Sequence, residues 1–178
     1  KNKYKVRIRL YVNSNICFLK IKKKNVHGRT MKMRIQRTSE KWDSPLTDFE
    51  KRFLSERVPF ASELSPVLYI SYSRFTLAQL NRCERITLDT NLTYTTIQGE
   101  ISKPLNGLVV VELKQAETNR RSPLFVFLRS MPERTTQLGR IIKISKYVLG
   151  RLSSDDSLSP RTYLSKLKVL RRATKAIK

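Results

Sequence analysis

Acidic residues are scarce in this chain. Asp and Glu number 14 against 37 Lys and Arg, a formal net charge of +23. Such an imbalance implies an anionic partner: nucleic acid, an anionic membrane or a phosphate compound. Glycine is scarce as well. Only 5 are present and they are scattered, which excludes a Gly-rich phosphate loop. One histidine, His27, and two distant cysteines, Cys17 and Cys83, do not make a zinc site from this chain alone. A Ser-His-Asp or Cys-His centre would rest entirely on His27, which sits in a charged turn. The two cysteines suit buried thiols in a reducing compartment. No apolar run reaches the length of a membrane span, and no signal peptide opens the chain. Hydrophobic residues make up 39% of the 178 residues. That suits one domain, 1–178, which spends part of its interior on polar groups.

Alternation of basic and apolar residues dominates what is present. A first strand over 4–12 sets Val6, Ile8 and Leu10 against Lys5, Arg7, Arg9 and Tyr11. A second, 17–24, opposes Leu19 and Ile21 to Lys20, Lys22 and Lys24. A third, 30–37, opposes Met31, Met33 and Ile35 to Lys32, Arg34 and Gln36. Turn residues at 13–15 and 25–28 join the three into an antiparallel meander. Ser44-Pro45 then reads as a cap with Pro at the first helical position. Leu46, Phe49 and Phe53 follow at helical spacing as far as about Arg57. Strands resume at 67–75, where Tyr72 and Arg74 share a face. They continue at 84–90, with Arg85, Thr87 and Asp89 on one face, and in a short strand over 91–98. Pro104 to Gly107 turns into a strand over 108–114. Ser122-Pro123 starts a helix, 141–150 fits either state, 153–157 reads as loop, and Ser159-Pro160 caps a basic helix over 159–178.

An exposed sheet face usually mixes charges of both signs, because like charges placed opposite each other destabilise the pair. Arg7, Arg9, Lys20, Lys22, Lys24, Lys32 and Arg34 have no acid on their own strands. A bound polyanion would neutralise that repulsion. One acid, Glu112, stands inside the β-forming run Val109-Val110-Val111-Glu112-Leu113-Lys114. It reads equally as a salt-bridge partner or as a ligand to Mg²⁺ or Mn²⁺. Arg74 and Arg85 suit bidentate contacts to phosphate oxygens, and pairing with Asp89 explains an Arg as readily. Composition alone makes Lys146 a surface lysine. The basic C-terminal helix has the reach to touch nucleic acid or membrane, although a solvated face is the commoner arrangement. Together the strands point to a mainly β (α+β) fold, an antiparallel barrel with a cationic interior and peripheral helices.

Several segments, taken in order, resemble the VTC domain, the polyphosphate polymerase module of the vacuolar transporter chaperone complex, within the triphosphate tunnel metalloenzymes and CYTH-like proteins. They are Lys5 to Tyr11, Phe18 to Lys22, Lys32-Met33-Arg34, Tyr72-Ser73-Arg74, Arg85 to Asn91, Val111 to Lys114 and Ser145-Lys146-Tyr147. Each is short, and their order carries the resemblance over about residues 4–150. The resemblance implies an antiparallel tunnel closed by eight strands. It implies that Arg7, Arg9, Lys22, Lys32, Arg34, Arg74, Arg85, Lys114 and Lys146 grip phosphate there, supported by Tyr72, Thr87 and Ser145. Glu112 would hold Mn²⁺ or Mg²⁺. The implied activity transfers the γ-phosphate of ATP to inorganic polyphosphate. Triphosphate hydrolysis is the nearest alternative, and nonenzymatic nucleic-acid binding a more distant one. Implied partners include membrane-associated subunits, with the domain in the cytoplasm or on the cytoplasmic face of a membrane. Two departures accompany the resemblance. Lys20 stands where the family usually has an acid, and nothing matches the family's N-terminal strands. The chain also lacks an initiating Met, so a fragment with those strands missing is expected.

Overall fold

The computed structural model describes residues 3–79, 84–99, 108–130, 145–155, 161–164 and 168. The chain divides into two compact units, 1–65 and 66–178, each built on an antiparallel three-stranded sheet.

The first unit holds the expected meander. Strands β1 (Lys3–Tyr11), β2 (Ile16–Lys24) and β3 (Thr30–Arg37) pair in sequence order. Both connections depend on left-handed backbone: Asn15 has φ 50° and Gly28 φ 81°. Asn25 closes the second turn, its Oδ1 accepting from the Arg29 N–H at 2.8 Å. One sheet face packs into a core around Leu19, Ile21, Leu54 and Val58, joined by Val6, Ile8, Met33 and Ile35. Cys17 is buried on that face, and Cys83 lies outside the described residues.

Helix α1 (Asp48–Ser55) begins later than Ser44-Pro45 predicts. Thr47 is the cap. Its Oγ1 accepts from the Glu50 N–H at 3.3 Å, while Glu50 Oε2 accepts from the Thr47 N–H at 2.8 Å. The reciprocal pair satisfies two helix-end donors, which Ser44 has no acid in position to match. The Ser44 and Pro45 carbonyls instead accept from the Arg37 guanidinium, which also pairs with Glu50 at 2.5 Å. Leu46 and Phe53 pack against the sheet's core as expected, while Phe49 is exposed and Glu50 and Leu54 are buried.

The second unit pairs β4 (Leu68–Gln79), β5 (Glu84–Thr96) and β6 (Val110–Gln115). The two strands expected over 84–98 are one. They join through a bulge: Ser71 pairs with Thr93 but Ser73 with Thr90, so Tyr72 faces two residues, Asn91 and Leu92. Asn91 takes the left-handed conformation this requires, φ 52°. The extra residue shifts the alternation by one. Leu92 and Tyr94 therefore share a face with Asp89 and Thr87, which unbroken alternation would forbid.

Two helices follow. In α2 (Pro123–Ser130) the Ser122 Oγ accepts from the Phe125 N–H at 3.1 Å, the expected start. Helix α3 (Lys146–Ser154) covers the later part of the segment 141–150, whose residues 141–144 lie outside the described residues, and includes Ser153 and Ser154, expected as loop. Both hydroxyls bond back to carbonyls four residues earlier, Leu149 and Gly150, which lets them continue a helix. Leu149 packs with Leu92 and Tyr94, joined by Leu68, Ile70 and Val110. The turn at 104–107 lies outside the described residues. So does most of the helix expected over 159–178, where Arg161–Tyr163 form a 3₁₀ turn. Among the described residues no helix is long and apolar enough to cross a membrane. The fold is mainly β, with two antiparallel three-stranded sheets and helices beside them.

Candidate functional site

In the first unit, register turns alternation into rows. Arg7 pairs with Lys20, and Lys20 with Arg34. Lys5 pairs with Lys22, and Lys22 with Lys32. Each row sets cations directly opposite one another across three strands, an arrangement that costs roughly 0.2–1 kcal/mol per pair relative to neutral neighbours. Burial and then the nearby Arg7 and Lys22 charges pull the Lys5 pKa below its ordinary value. Arg7, Lys22, Lys32 and Arg34, all named from the sequence, lie on this face. Lys5 and Lys20, placed on the same basic faces by alternation, complete the rows.

The face ends in aromatics. Tyr11 and Phe18 meet edge to face at 6.4 Å between centroids. Arg9 lies over Tyr11 at 4.7 Å and Arg34 over Phe18 at 4.5 Å. Lys20 Nζ donates to the Tyr11 hydroxyl at 3.0 Å. Partial burial would raise the Tyr11 pKa. The Lys20 hydrogen bond and the Arg9, Lys20 and Arg7 charges outweigh it, and the phenol falls below its usual value.

In the second unit, cross-strand pairing places Arg74 opposite Asp89, Thr87 opposite Glu112, and Arg85 opposite Lys114. Tyr72 shares their face by alternation with Arg74. Asp89 is fully buried. Its Oδ1 accepts from Arg74 Nε at 2.6 Å and its Oδ2 from Arg74 Nη2 at 2.7 Å. The Lys146 ammonium, on the first residue of α3, pairs with Asp89 Oδ2 as well. Burial alone would push the Asp89 carboxyl up. The bonds from Arg74 and Lys146 outweigh it and hold the carboxyl below its ordinary value. Asp89 in turn raises the Arg74 pKa. The Tyr72 ring lies within 5.2 Å of the Arg74 guanidinium and 5.1 Å of the Lys146 ammonium. Ser145 precedes α3, and its carbonyl accepts the Leu149 N–H at 3.0 Å.

Glu112 is half exposed, 3.6 Å from the Lys114 ammonium. Burial, then Arg74 and Arg85, lower the Lys114 pKa, against a partial offset from Glu112. Thr87 Oγ1, opposite Glu112, is buried without a hydrogen-bond partner among the described residues. No group of three His, Cys, Asp or Glu suited to a metal occurs among the described residues. Glu112 therefore supplies a single carboxylate. That fits a hard cation shared with phosphate oxygens and not an all-protein cage.

Within the second unit the structure gathers Tyr72, Arg74, Arg85, Thr87, Glu112, Lys114 and Lys146 around one face or its edge. Arg7, Arg9, Lys22, Lys32 and Arg34 share a face of the first. Sequence reasoning did not place Asp89 in the site. It was visible in the same alternation as Arg85 and Thr87, and only its pairing with Lys146, 57 positions away, was not.

The fold is that of a mainly β protein with in-register cation rows in its first unit and an Arg–Asp–Lys cluster in its second. The VTC domain family matches residues 1–154, and the chain belongs to that family. No curated protein and no solved structure matched.

Proposed function

We propose that this chain is a metal-dependent polyphosphate polymerase domain. It transfers the γ-phosphate of ATP to a growing polyphosphate chain inside a basic tunnel lined by these cations. One observation supports this reading above others. Cations stand opposite cations across β1, β2 and β3, with no acid on any of the three strands. A sheet carries that repulsion at a cost in stability, and a polyanion laid across the rows removes it. A linear polyphosphate is a polyanion of that kind. Phosphoryl transfer asks the protein for alignment and charge neutralisation more than for a covalent catalyst.

In this reading Arg7, Arg9, Lys22, Lys32, Arg34, Arg74, Arg85, Lys114 and Lys146 bind and orient phosphate oxygens. Tyr72 supports Arg74 and Lys146 through its ring, and Thr87 and Ser145 support the same face. Glu112 would hold Mn²⁺ or Mg²⁺, which would supply neutralisation of phosphate charge. We place the activity in the cytoplasm or on the cytoplasmic face of a membrane, beside membrane-associated partner subunits.

Glu112→Gln tests the assignment. Polyphosphate synthesis from ATP with Mn²⁺ should be lost while tripolyphosphate binding is largely retained. Synthesis at the parent rate would remove Glu112 from the reaction. A parent protein that releases only phosphate from tripolyphosphate would be a hydrolase.

A further inference from the structure

Asp89 is the one carboxylate in this site that faces no solvent, and it holds two cations from different elements. Its grip on Arg74 is side-on, through Nε and Nη2. That geometry leaves Nη1 and its two N–H donors on the guanidinium edge away from Asp89. Lys146 likewise keeps donors beyond the one given to Asp89. Both cations are partly exposed, with side-chain exposures of 23% for Arg74 and 19% for Lys146, and Asp89 lies beneath them. Tyr72 lies against both.

Helix packing makes the arrangement possible. Gly150 sits where α3 meets the sheet. A Cβ there would stand 2.3 Å from Tyr94 Cδ1 and 2.4 Å from Leu68 Cδ2. That close approach brings the start of α3, and Lys146 with it, down to Asp89. The bulge at Asn91 completes the design. It puts the apolar Leu92 and Tyr94, which receive α3, on the same face as the charged cluster.

We propose that Asp89 is a positioning residue for phosphate: it holds Arg74 and Lys146 side by side, spends their inner donors and presents their outer ones to the ligand. This rests on reading the face as a phosphate site. Charge and positioning act on anion binding with opposite signs at Asp89. Deleting a negative charge beside an anion site should tighten anion binding if charge alone matters. Loss of positioning should weaken it.

Calorimetry with inorganic tripolyphosphate on the full chain reads that sign. Asp89→Asn keeps the shape and removes the charge. The expected result is binding weaker on the order of tenfold, as for other residues that orient a ligand-binding group. In a Lys146→Gln background the same change should cost less, because one of its two partners is already gone. Unchanged or tighter binding by a folded Asp89→Asn protein would overturn the proposal while leaving the phosphate site intact. Should that variant not fold, Asp89→Glu carries the test, since it keeps the charge and moves the oxygens by one methylene. Parent-level affinity in Asp89→Glu would overturn the proposal equally. A parent chain that does not bind tripolyphosphate at all would overturn the functional reading, and this inference with it.

Discussion

Two buried carboxylates, Glu50 and Asp89, are each clamped by an arginine, and their surroundings separate their roles. The Arg37–Glu50 pair is sealed in the first unit, with side-chain exposures of 4% and 5%. Arg37 also donates to the Lys41 carbonyl at 3.0 Å and to those of Ser44 and Pro45. All its contacts tie the end of β3 to the start of α1, so we assign it to stability. Arg37→Met should destabilise the protein by about 3–5 kcal/mol, because it strands Glu50 as a buried charge. Urea denaturation measures this directly. Removing the exposed Lys51–Asp48 pair should cost at most about 1 kcal/mol. Asp89 has partly exposed partners instead, Arg74 and Lys146. At this scale the sequence exposed candidate types more readily than pairings. Arg74 was open to phosphate or to Asp89, and the structure pairs it with Asp89. Lys146 looked like a surface lysine, because nothing in Ser145-Lys146-Tyr147 reveals the distant carboxylate beneath it.

Among the elements, the strands were the most legible. Period-two alternation of Lys and Arg with Val, Ile and Leu gave β1, β2 and β3 to within one residue at each end. Helix starts were less so, since Ser44-Pro45 and Thr47-Asp48-Phe49-Glu50 are rival signals and only the second completes a capping box. The bulge at Asn91 was hidden, because inserting one residue looks like a strand break when read along a single strand. Helix α3 depends on a contact between elements. Gly150→Ala would raise helix propensity in isolation. In this fold it should destabilise by about 1–3 kcal/mol, because the methyl meets Tyr94 and Leu68. A lower thermal midpoint in circular dichroism checks it; a higher one would show that α3 can draw back from the sheet at no cost.

For the molecule as a whole, a formal charge of +23 on 178 residues makes self-repulsion a standing load on the folded state. A ligand that neutralises the in-register rows should therefore stabilise the chain as well as bind it. Tripolyphosphate at a hundred times its Kd should add about 2.7 kcal/mol by linkage. A single-stranded DNA of matched charge should stabilise it less, with a steeper loss as salt rises. Thermal melts across a salt series compare the two. Greater stabilisation by the DNA would turn these faces into an open nucleic-acid surface. Composition, alternation and the ordered motifs by themselves determined that the protein is a basic, mainly β member of the VTC domain family, since strand faces follow from local periodicity. Only tertiary structure decided which cations oppose which, that Asp89 lies beneath Arg74 and Lys146, and that a bulge joins the charged and apolar halves of one face. Those depend on register and helix docking, which arise between segments far apart in the chain.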